Sequence, residues 1–433
     1  MKKYLFIIGM TAVMFAACSS NDELLTQKVA DAEAIDVEDM SYEHLMGTAP
    51  IEFAGVDVGV LVDITVEEET RGTAAATIPE NQQLGIFCLS YKKIDDALGD
   101  SYLNWADAAT YKTLNRWQDN AKAHIENLTS GGHGVMCWDD RNTPHYYPKL
   151  DYFAYQFAAY QPYTDIIQCK GSTITAWIPI DGDDDIMYAV SEGPRNGVVS
   201  DELAAYAYGN HYFSEVAAQG EITADHKPYF SFSHLLSKLV FNVKLKDGAS
   251  TSGHTFRVDS ISIRNLINIA RVTVATKDGS SSIANGLINC FGDINSSSIP
   301  DDVRAKLQER GVTTGKTNFW LREKDGSSIR DLKEGNAYKY ELTNSFKTIG
   351  GGIFIPTSSG TLKLDVFLCN EDGHLSTSSS PITVNVPTGG WQKGKYYNIN
   401  ITLTPPKYFM DDTRGEVSQW EGGADVENID VEF

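Results

Sequence analysis

The alternation of residues 56–66 constrains the fold of this chain more than any other stretch. Val or Ile occupies every even position from Val56 to Val66, while most odd positions hold Asp, Gly or Thr. Such a period of two predicts a β-strand with one buried face. Three glutamates follow, then Arg71 and a run of small residues typical of an accessible loop. The run therefore predicts a first strand that leads into an exposed loop carrying one basic residue.

Two interpretations fit this local pattern. The first is an ordinary first strand followed by a loop. The second is a strand that is released when a protease cuts at Arg71, and we expect such a strand at a sheet edge, where it can be vacated. The residues displaced would be Val56, Val58, Val60, Val62, Ile64 and Val66. Nothing in the stretch itself decides between the two, so the rest of the chain must.

The composition favours a β-rich protein. The chain has 433 residues, enough for two or three domains. Aromatic residues make up 11% of it and charged residues only 22%, and long helical periodicity is scarce. The net charge of -22 argues against a nucleic-acid partner, which requires a basic face, and against electrostatic docking on an anionic lipid surface.

Residues 1–18 form a targeting segment. Lys2 and Lys3 precede an apolar stretch that is too short to remain as a membrane-spanning helix. The segment ends in Phe-Ala-Ala-Cys18, and small residues just before a Cys resemble the lipobox of bacterial lipoproteins. This resemblance predicts a lipoprotein signal peptide with lipidation of Cys18; the alternative is an ordinary secretory signal that is cleaved nearby.

Residues 19–50 are polar and acidic, so they predict a tether. Asp22 and Glu23, close behind Cys18, resemble the export signal of surface lipoproteins. We therefore expect the mature chain at the outer membrane or the cell surface, where the lipid on Cys18 anchors it.

From Leu84 onward the chain is a series of short strand-like runs bounded by Gly, Pro, Asn or Ser, which predicts an all-β fold of sandwiches or barrels. The Gly/Ser-rich stretch at 246–254 is the best candidate for a domain boundary. It gives an N-terminal β-sandwich domain over 51–248 and a C-terminal one over 249–433. Even the last residues alternate, with Ile429, Val431 and Phe433 on one side.

No stretch of the sequence predicts catalysis or a resident metal. His133 lies in a glycine-rich turn without a nucleophile motif nearby, and the acidic run 181–185 lacks the pattern of a calcium-binding loop. Five cysteines remain beyond Cys18, and none stands in a Cys-x-x-Cys pair: Cys88, Cys137, Cys169, Cys290 and Cys369. A metal cage or disulfide framework is disfavoured, although one bridge remains open. We expect no cofactor and no enzyme activity.

Five stretches, in order, resemble the fimbrillin family of Bacteroidetes, which comprises the subunits of type V pili and their relatives. They are QLGIFCLSY, DYFAYQFAAYQPY, DIMYA, FSFSHLLSKLVFNVKL and WQKGKYYNINITL. The resemblance implies two tandem transthyretin-like β-sandwich domains, with short helices in loops, in a structural protein exported as a lipoprotein. It covers nearly the whole chain from about Glu52.

The same resemblance implies a maturation step. In the family, a trypsin-like protease cuts after a basic residue in the loop that follows the first strand, and the lipidated N-terminal piece is lost. Arg71 matches that position by its context. The implied partners are this protease, other pilus subunits, and the outer membrane through Cys18 before processing.

The vacated groove would accept a strand from another subunit by β-augmentation. The C-terminal run, Val426 to Phe433, is the predicted donor, with Ile429, Val431 and Phe433 as its apolar residues. A head-to-tail contact of this kind does not close on itself, so it propagates into a filament. The sequence thus predicts a pilus subunit that serves adhesion. The alternative is a monomeric, surface-anchored lipoprotein that binds a glycan or a host ligand.

Overall fold

Strands dominate the structure, a computed structural model, and they follow the apolar alternation of the sequence. It describes residues 41–58, 62–63, 82–94, 103–109, 111–129, 132–140, 143–194, 199–220, 222–249, 253–277, 283, 285–321, 328–372, 375–377, 381–404 and 429–432. The chain divides into two compact units, residues 1–44 and 45–433, and every described strand lies in the second.

The helices are short. They are α1 (Tyr42–Leu45), α2 (Lys112–Asn115), α3 (Asp201–Ala204), α4 (Asn210–Gln219) and α5 (Asp301–Glu309), with 3-10 turns at Ala224–His226 and Ile329–Asp331. Within the described ranges, no helix has the length and hydropathy needed to cross a bilayer.

The strands of the first half are β1 (Met46–Pro50), β2 (Gly55–Asp57), β3 (Val62–Asp63), β4 (Leu84–Lys93), β5 (Arg116–Glu126), β6 (His133–Trp138), β7 (Tyr146–Pro148), β8 (Phe153–Gln161), β9 (Ile167–Lys170), β10 (Thr173–Pro179), β11 (Met187–Val190), β12 (Tyr229–Ser231), β13 (Ser233–His234) and β14 (Ser237–Leu245).

Those of the second half are β15 (Phe256–Ile267), β16 (Ile269–Thr276), β17 (Leu287–Phe291), β18 (Lys316–Leu321), β19 (Lys333–Glu334), β20 (Ala337–Tyr338), β21 (Lys347–Ile355), β22 (Leu362–Asn370), β23 (Leu375–Thr377), β24 (Ile382–Val384), β25 (Lys395–Thr404) and β26 (Ile429–Glu432).

The largest sheet closes on itself. Its strand order is β12-β2-β6-β5-β4-β8-β11-β13. The two end strands, β12 and β13, are consecutive in the chain, and an antiparallel bridge joins Ser191, just after β11, to Phe230 in β12. Both ends of the sheet therefore meet along one segment of chain, residues 229–234.

A four-stranded sheet of order β17-β16-β10-β9 packs on the closed sheet. Strands β4 and β8 are buried along nearly their whole length, which explains their continuous apolar sequences. The side chains that share one core across these two sheets are Phe87, Leu89, Ala158, Tyr160, Ile174, Ala176, Val272 and Val274.

Two five-stranded sheets continue this core. One has the order β21-β14-β25-β26, with β3 also on β25; the other has the order β18-β15-β22-β23, with β24 also on β22. The alternation of β14 is as predicted, because Leu239, Phe241, Val243 and Leu245 are all buried. Their core partners include Val258, Ile261, Ile263, Leu364, Val366, Leu368, Ile399, Ile401 and Leu403.

The predicted all-β class is confirmed, but strand pairing crosses the boundary that we placed after residue 248. Strand β14 pairs with β21 and β25, and β16 pairs with β10 along its whole length. The Gly/Ser-rich stretch at 246–254 marks only the turn between β14 and β15. Local turn chemistry shows where the chain reverses and carries no information on which distant strands become neighbours.

A chain that ends at residue 248 is therefore expected not to fold. It would leave β14 without either neighbour and β10 without β16, exposing their buried faces. Far-ultraviolet circular dichroism during urea titration should show a cooperative transition for residues 45–433 and none for residues 45–248. A cooperative transition of the shorter chain would contradict this interdependence.

Candidate functional site

The closed sheet contains one inserted strand from the N-terminal stretch. Strand β2 lies between β12, to which it is parallel, and β6, to which it is antiparallel. Val56 lies opposite Phe230 on one side and Gly134 on the other. Because β2 is only three residues long, a very short segment joins the two sides of this sheet.

Backbone hydrogen bonds extend the contact beyond β2 itself. Three of them flank its pairing: Ala54 N donates to Pro228 O at 2.9 Å, Phe232 N to Asp57 O at 2.6 Å, and Val58 N to Gly132 O at 2.9 Å. We call the space between residues 228–232 and residues 132–134 the β2 slot. Its two walls are backbone edges that lose their partners whenever residues 54–58 leave.

Residues 51–58, the N-terminal ribbon, fill the slot with apolar side chains. The exposed fractions are 2% for Ile51, 9% for Phe53, 1% for Val56 and 0% for Val58. Burial of a large apolar side chain is worth about 1.5–3 kcal/mol, so the four contribute about 6–12 kcal/mol before ordering costs. The ribbon is thus an integral part of the core.

Phe53 occupies an aromatic nest. Its ring centroid lies 5.0 Å from that of Trp138, 5.6 Å from Phe157 and 5.5 Å from Phe230, the last two nearly edge to face. Edge-to-face pairs at such distances are favourable beyond their buried area. We call these three rings the Phe53 nest. The three rings enclose the Phe53 side chain, so the fit depends on its size and shape.

Polar contacts fix the ribbon beside the nest. Glu52 Oε2 lies 2.6 Å from Lys227 Nζ. The backbone of Ile51 is held twice, since its N–H donates to His145 O at 2.7 Å and its carbonyl accepts from Trp138 Nε1 at 3.0 Å. The slot therefore recognises both the charge and the path of the chain that enters it.

A second contact surface is the edge of β25 that faces away from β14. Val62 lies opposite Lys395 and Asp63 opposite Tyr396, while Ile429–Glu432 lies opposite Ile401–Thr404. Both segments are parallel to β25, and β14 pairs with its other side. The N-terminal stretch and the C-terminal run thus share one strand edge, arranged end to end.

These contacts revise the predicted first strand in two ways. We predicted one continuous strand over 56–66, whereas β2 and β3 belong to different sheets. We also expected a releasable strand at a sheet edge, whereas β2 is hydrogen-bonded on both sides, as the interpretation of an ordinary integral strand expects. The alternation gave the buried face correctly for Val56 and Val58. It could not reveal that the later segment 229–234 closes the sheet over the far side of β2.

The remaining predicted site residues are placed only in part. The structure gives backbone positions for Val62, Ile429 and Val431. Cys18, Val60, Ile64, Val66, Arg71 and Phe433 lie outside the described residues. Their roles in lipidation, cleavage, displacement and donation stay predictions.

Sequence reasoning missed Ile51, Glu52 and Phe53 as site residues. The signal was present, because apolar, acidic and aromatic residues alternate there as in a short strand. The valine run that follows is longer and masked it. The partners of these residues, Lys227 and Trp138, are distant in the sequence, and only the fold identifies them.

No second chemical site competes with the slot among the described residues. The five described cysteines are free thiols, and no group of three or more His, Cys, Asp or Glu side chains is placed to hold a metal ion in that part of the chain. His234, one of the buried polar residues, bonds through Nδ1 to the carboxylate of Asp185. Burial raises the pKa of that carboxyl, and His234 opposes the shift.

Comparison with protein families gives one match over most of the chain. The fimbrillin-like family matches residues 70–420, a range that excludes both the N-terminal ribbon and the C-terminal run. No curated protein matches the sequence.

Solved structures from Bacteroides species share low sequence identity with this chain. A candidate cell adhesion protein from Bacteroides uniformis is 14% identical, with a TM-score of 0.36, over 82% of this chain and 93% of its own. A candidate cell adhesion protein from Bacteroides ovatus is 14% identical, with a TM-score of 0.38, over 82% of this chain and 92% of its own. A fimbrial protein from Bacteroides vulgatus is 16% identical, with a TM-score of 0.34, over 82% of this chain and 95% of its own.

Docking of the ribbon should weaken in mild acid through His145. Its ring stacks 4.2 Å from Trp138, its Nδ1 lies 3.0 Å from Gln118 Oε1, and its carbonyl accepts from Ile51 N. Burial lowers the pKa of His145 below the ordinary 6.5, against the opposing charge of Asp140. A lowered pKa means that the folded state favours the neutral ring, so the stabilisation is complete above the ordinary pKa of 6.5 and is lost as pH falls through the lowered pKa of the folded state.

The measurement is hydrogen–deuterium exchange of the peptide containing Ile51, corrected for intrinsic exchange, from neutral pH to mild acid. Protection should fall with pH in the native chain, and His145→Phe, which keeps a ring over Trp138, should flatten the dependence. An unchanged dependence in the variant would assign the effect to another group.

Proposed function

Because this chain belongs to the fimbrillin-like family, we propose that it is a structural subunit of a surface pilus that serves adhesion and polymerises by strand exchange. The N-terminal ribbon is its temporary strand, and the C-terminal run of another copy is the replacement. Family membership supports a fimbrial or adhesive protein at the cell surface. The slot geometry supports the exchange.

The observation that carries the proposal is the closure of a large sheet by a short inserted segment. Loss of residues 51–58 would open two backbone edges and uncover the sites of four apolar side chains. Open edges and apolar grooves are unfavourable in water. An extended segment of another copy can remove both penalties at once.

The interior position of β2 changes the energetics of exchange. Release must break hydrogen bonds on both sides, which slows spontaneous loss of the ribbon. An incoming strand regains bonds on both sides, so the polymer contact is stronger than addition at a single edge. The ribbon therefore suits a role as a covalently attached placeholder that only proteolysis makes replaceable.

The C-terminal run supports the donor role by its position. Strand β26 pairs with the outer edge of β25 through a short parallel register and has no second neighbour among the described strands. A strand bound on one side only is the easier of the two to release. Its departure from one copy and entry into the next would propagate without closing.

Maturation and location complete the proposal. Lipid on Cys18 would hold the new subunit at the outer membrane, and a trypsin-like protease would cut after Arg71. That cut separates β1, β2 and β3 from the rest of the chain, since all three lie before it. The remaining chain, which begins just past residue 70, corresponds to the range matched by the family.

Arg71→Ala should block maturation and therefore polymerisation. On cells, the native chain should lose residues up to Arg71 and form ladders on gels run without boiling, whereas the variant should stay full length and monomeric. Arg71→Lys, which keeps a site for a trypsin-like protease, should restore processing. Ladders from an uncut Arg71→Ala chain would contradict the proposal, and so would a full-length native chain that remains lipidated and binds sugar as a monomer.

Deletion of residues 427–433 should give a folded, processed monomer that cannot polymerise. The deletion removes β26, which contacts only one strand edge, so the unfolding midpoint should change little. Size-exclusion chromatography after protease treatment measures the outcome. Filaments from the deleted chain would refute the donor assignment, while the Arg71 proposal would stand.

A further inference from the structure

We propose that the donor enters the β2 slot in one register, in which residues 424–431 of one copy take the places of residues 51–58 of the next. This inference rests on the proposed strand exchange and deepens it. It assigns Val426 to the Phe53 nest, Ile429 and Val431 to the sites of Val56 and Val58, and Asp425 to Lys227.

The first argument is the spacing of buried side chains. In the ribbon the buried residues Phe53, Val56 and Val58 follow one another at steps of three and then two, so the alternation breaks once at Ala54 and Gly55. A regular strand cannot match that break. The C-terminal run has it, because Val426, Ile429 and Val431 show the same steps of three and two.

Other registers place polar groups in apolar sites. With a shift of one residue in either direction, an acidic residue falls in the Phe53 nest. With a shift of two, either Asn428 enters the nest or Glu427 takes the site of Val56. The free-energy cost of burying an unpaired carboxylate or amide is several times the gain from burying a methyl group. The slot therefore accepts one register of this segment.

Charge supports the same alignment. Glu52 of the ribbon pairs with Lys227, and the aligned residue of the C-terminal run is Asp425. Asp57 of the ribbon aligns with Asp430. The ribbon and the incoming segment therefore both carry an acidic residue at these two positions, and both carry apolar residues at the buried ones.

The one glycine of β2 does not exclude the alignment. Asn428 takes the place of Gly55, where an added Cβ would lie 3.4 Å from Gly134 O and 3.6 Å from Tyr229 Cε2. These are ordinary contact distances for a Cβ. Because Gly55 is buried, the amide of Asn428 must also be hydrogen-bonded there, and Gly134 O is the nearest polar atom, whereas the Phe53 nest is wholly aromatic. Gly55 is also absent from the positions with positive φ, so its backbone suits any residue.

The alignment leaves two smaller side chains in the slot, Ala424 at the site of Ile51 and Val426 at that of Phe53, and the second misfit is the test. Valine is smaller than the phenylalanine that the three rings of the Phe53 nest enclose, so part of the nest would stay empty. Val426→Phe restores the lost contacts. The substitution should therefore strengthen the contact between copies, which no other register predicts.

The experiment separates donor from acceptor. The donor is the full-length chain without protease treatment, whose own slot stays filled. The acceptor is a chain that lacks residues 424–433 and has been cut by a trypsin-like protease, which is then removed. Dissociation of the donor from immobilised acceptor is followed by biolayer interferometry, and circular dichroism checks that each variant is folded.

Val426→Phe in the donor should slow dissociation about tenfold. This factor corresponds to about 1.4 kcal/mol of added binding free energy, which the burial of the larger apolar side chain supplies. Val417→Phe makes the same chemical change outside the aligned segment and should leave the rate unchanged. An equal effect of both substitutions would indicate general hydrophobicity and would overturn the register.

Charge reversal gives an independent arm. Asp425→Lys in the donor should speed dissociation about threefold, a size typical of a partly exposed ion pair, and Lys227→Glu in the acceptor should restore the native rate. Asp430→Lys in the donor should not be restored by Lys227→Glu. If native donor and acceptor do not associate at all, strand exchange itself fails. If they associate but the substitutions leave the dissociation rate unchanged, strand exchange stands and the proposed register is wrong.

Discussion

The closure of the first sheet by β2 is the interaction on which the rest of the structure depends. Gly55–Asp57 joins β12 to β6 in parallel on one side and antiparallel on the other, and Phe53, Val56 and Val58 fill the core beside it. Backbone pairing and apolar burial therefore rest on the same few residues. The proposed strand exchange requires that an incoming segment restore both the backbone pairing and the apolar burial.

The two ends of the chain meet on a single strand. Val62–Asp63 and Ile429–Glu432 both pair with the outer edge of β25, one beyond the other. The N-terminal stretch thus contributes β2 to the closed sheet and β3 to a five-stranded sheet, where β26 pairs with the same strand. Under the proposed strand exchange, removal of the N-terminal stretch and release of the C-terminal run would both free positions along this edge of β25.

The sequence predicted the fold class and the buried face of several strands, because period-two alternation reports burial directly. The even positions of 56–58 and the odd positions of 239–245 are buried as expected. It could not predict that β2 has neighbours on both sides, that 62–63 joins another sheet, or that β14 pairs beyond residue 248. Those outcomes depend on pairing between distant segments. The Phe53 nest was hidden for the same reason, since its rings come from β6, β8 and β12.

The most direct measurement of the central claim is an electron cryo-microscopy structure of filaments grown from protease-treated chain, at a resolution that shows side chains. In these filaments the strand between β6 and β12 of each subunit should come from the C-terminal run of its neighbour, with Val426 enclosed by Trp138, Phe157 and Phe230. A filament in which Gly55–Asp57 of the same chain still lies between those strands would contradict it.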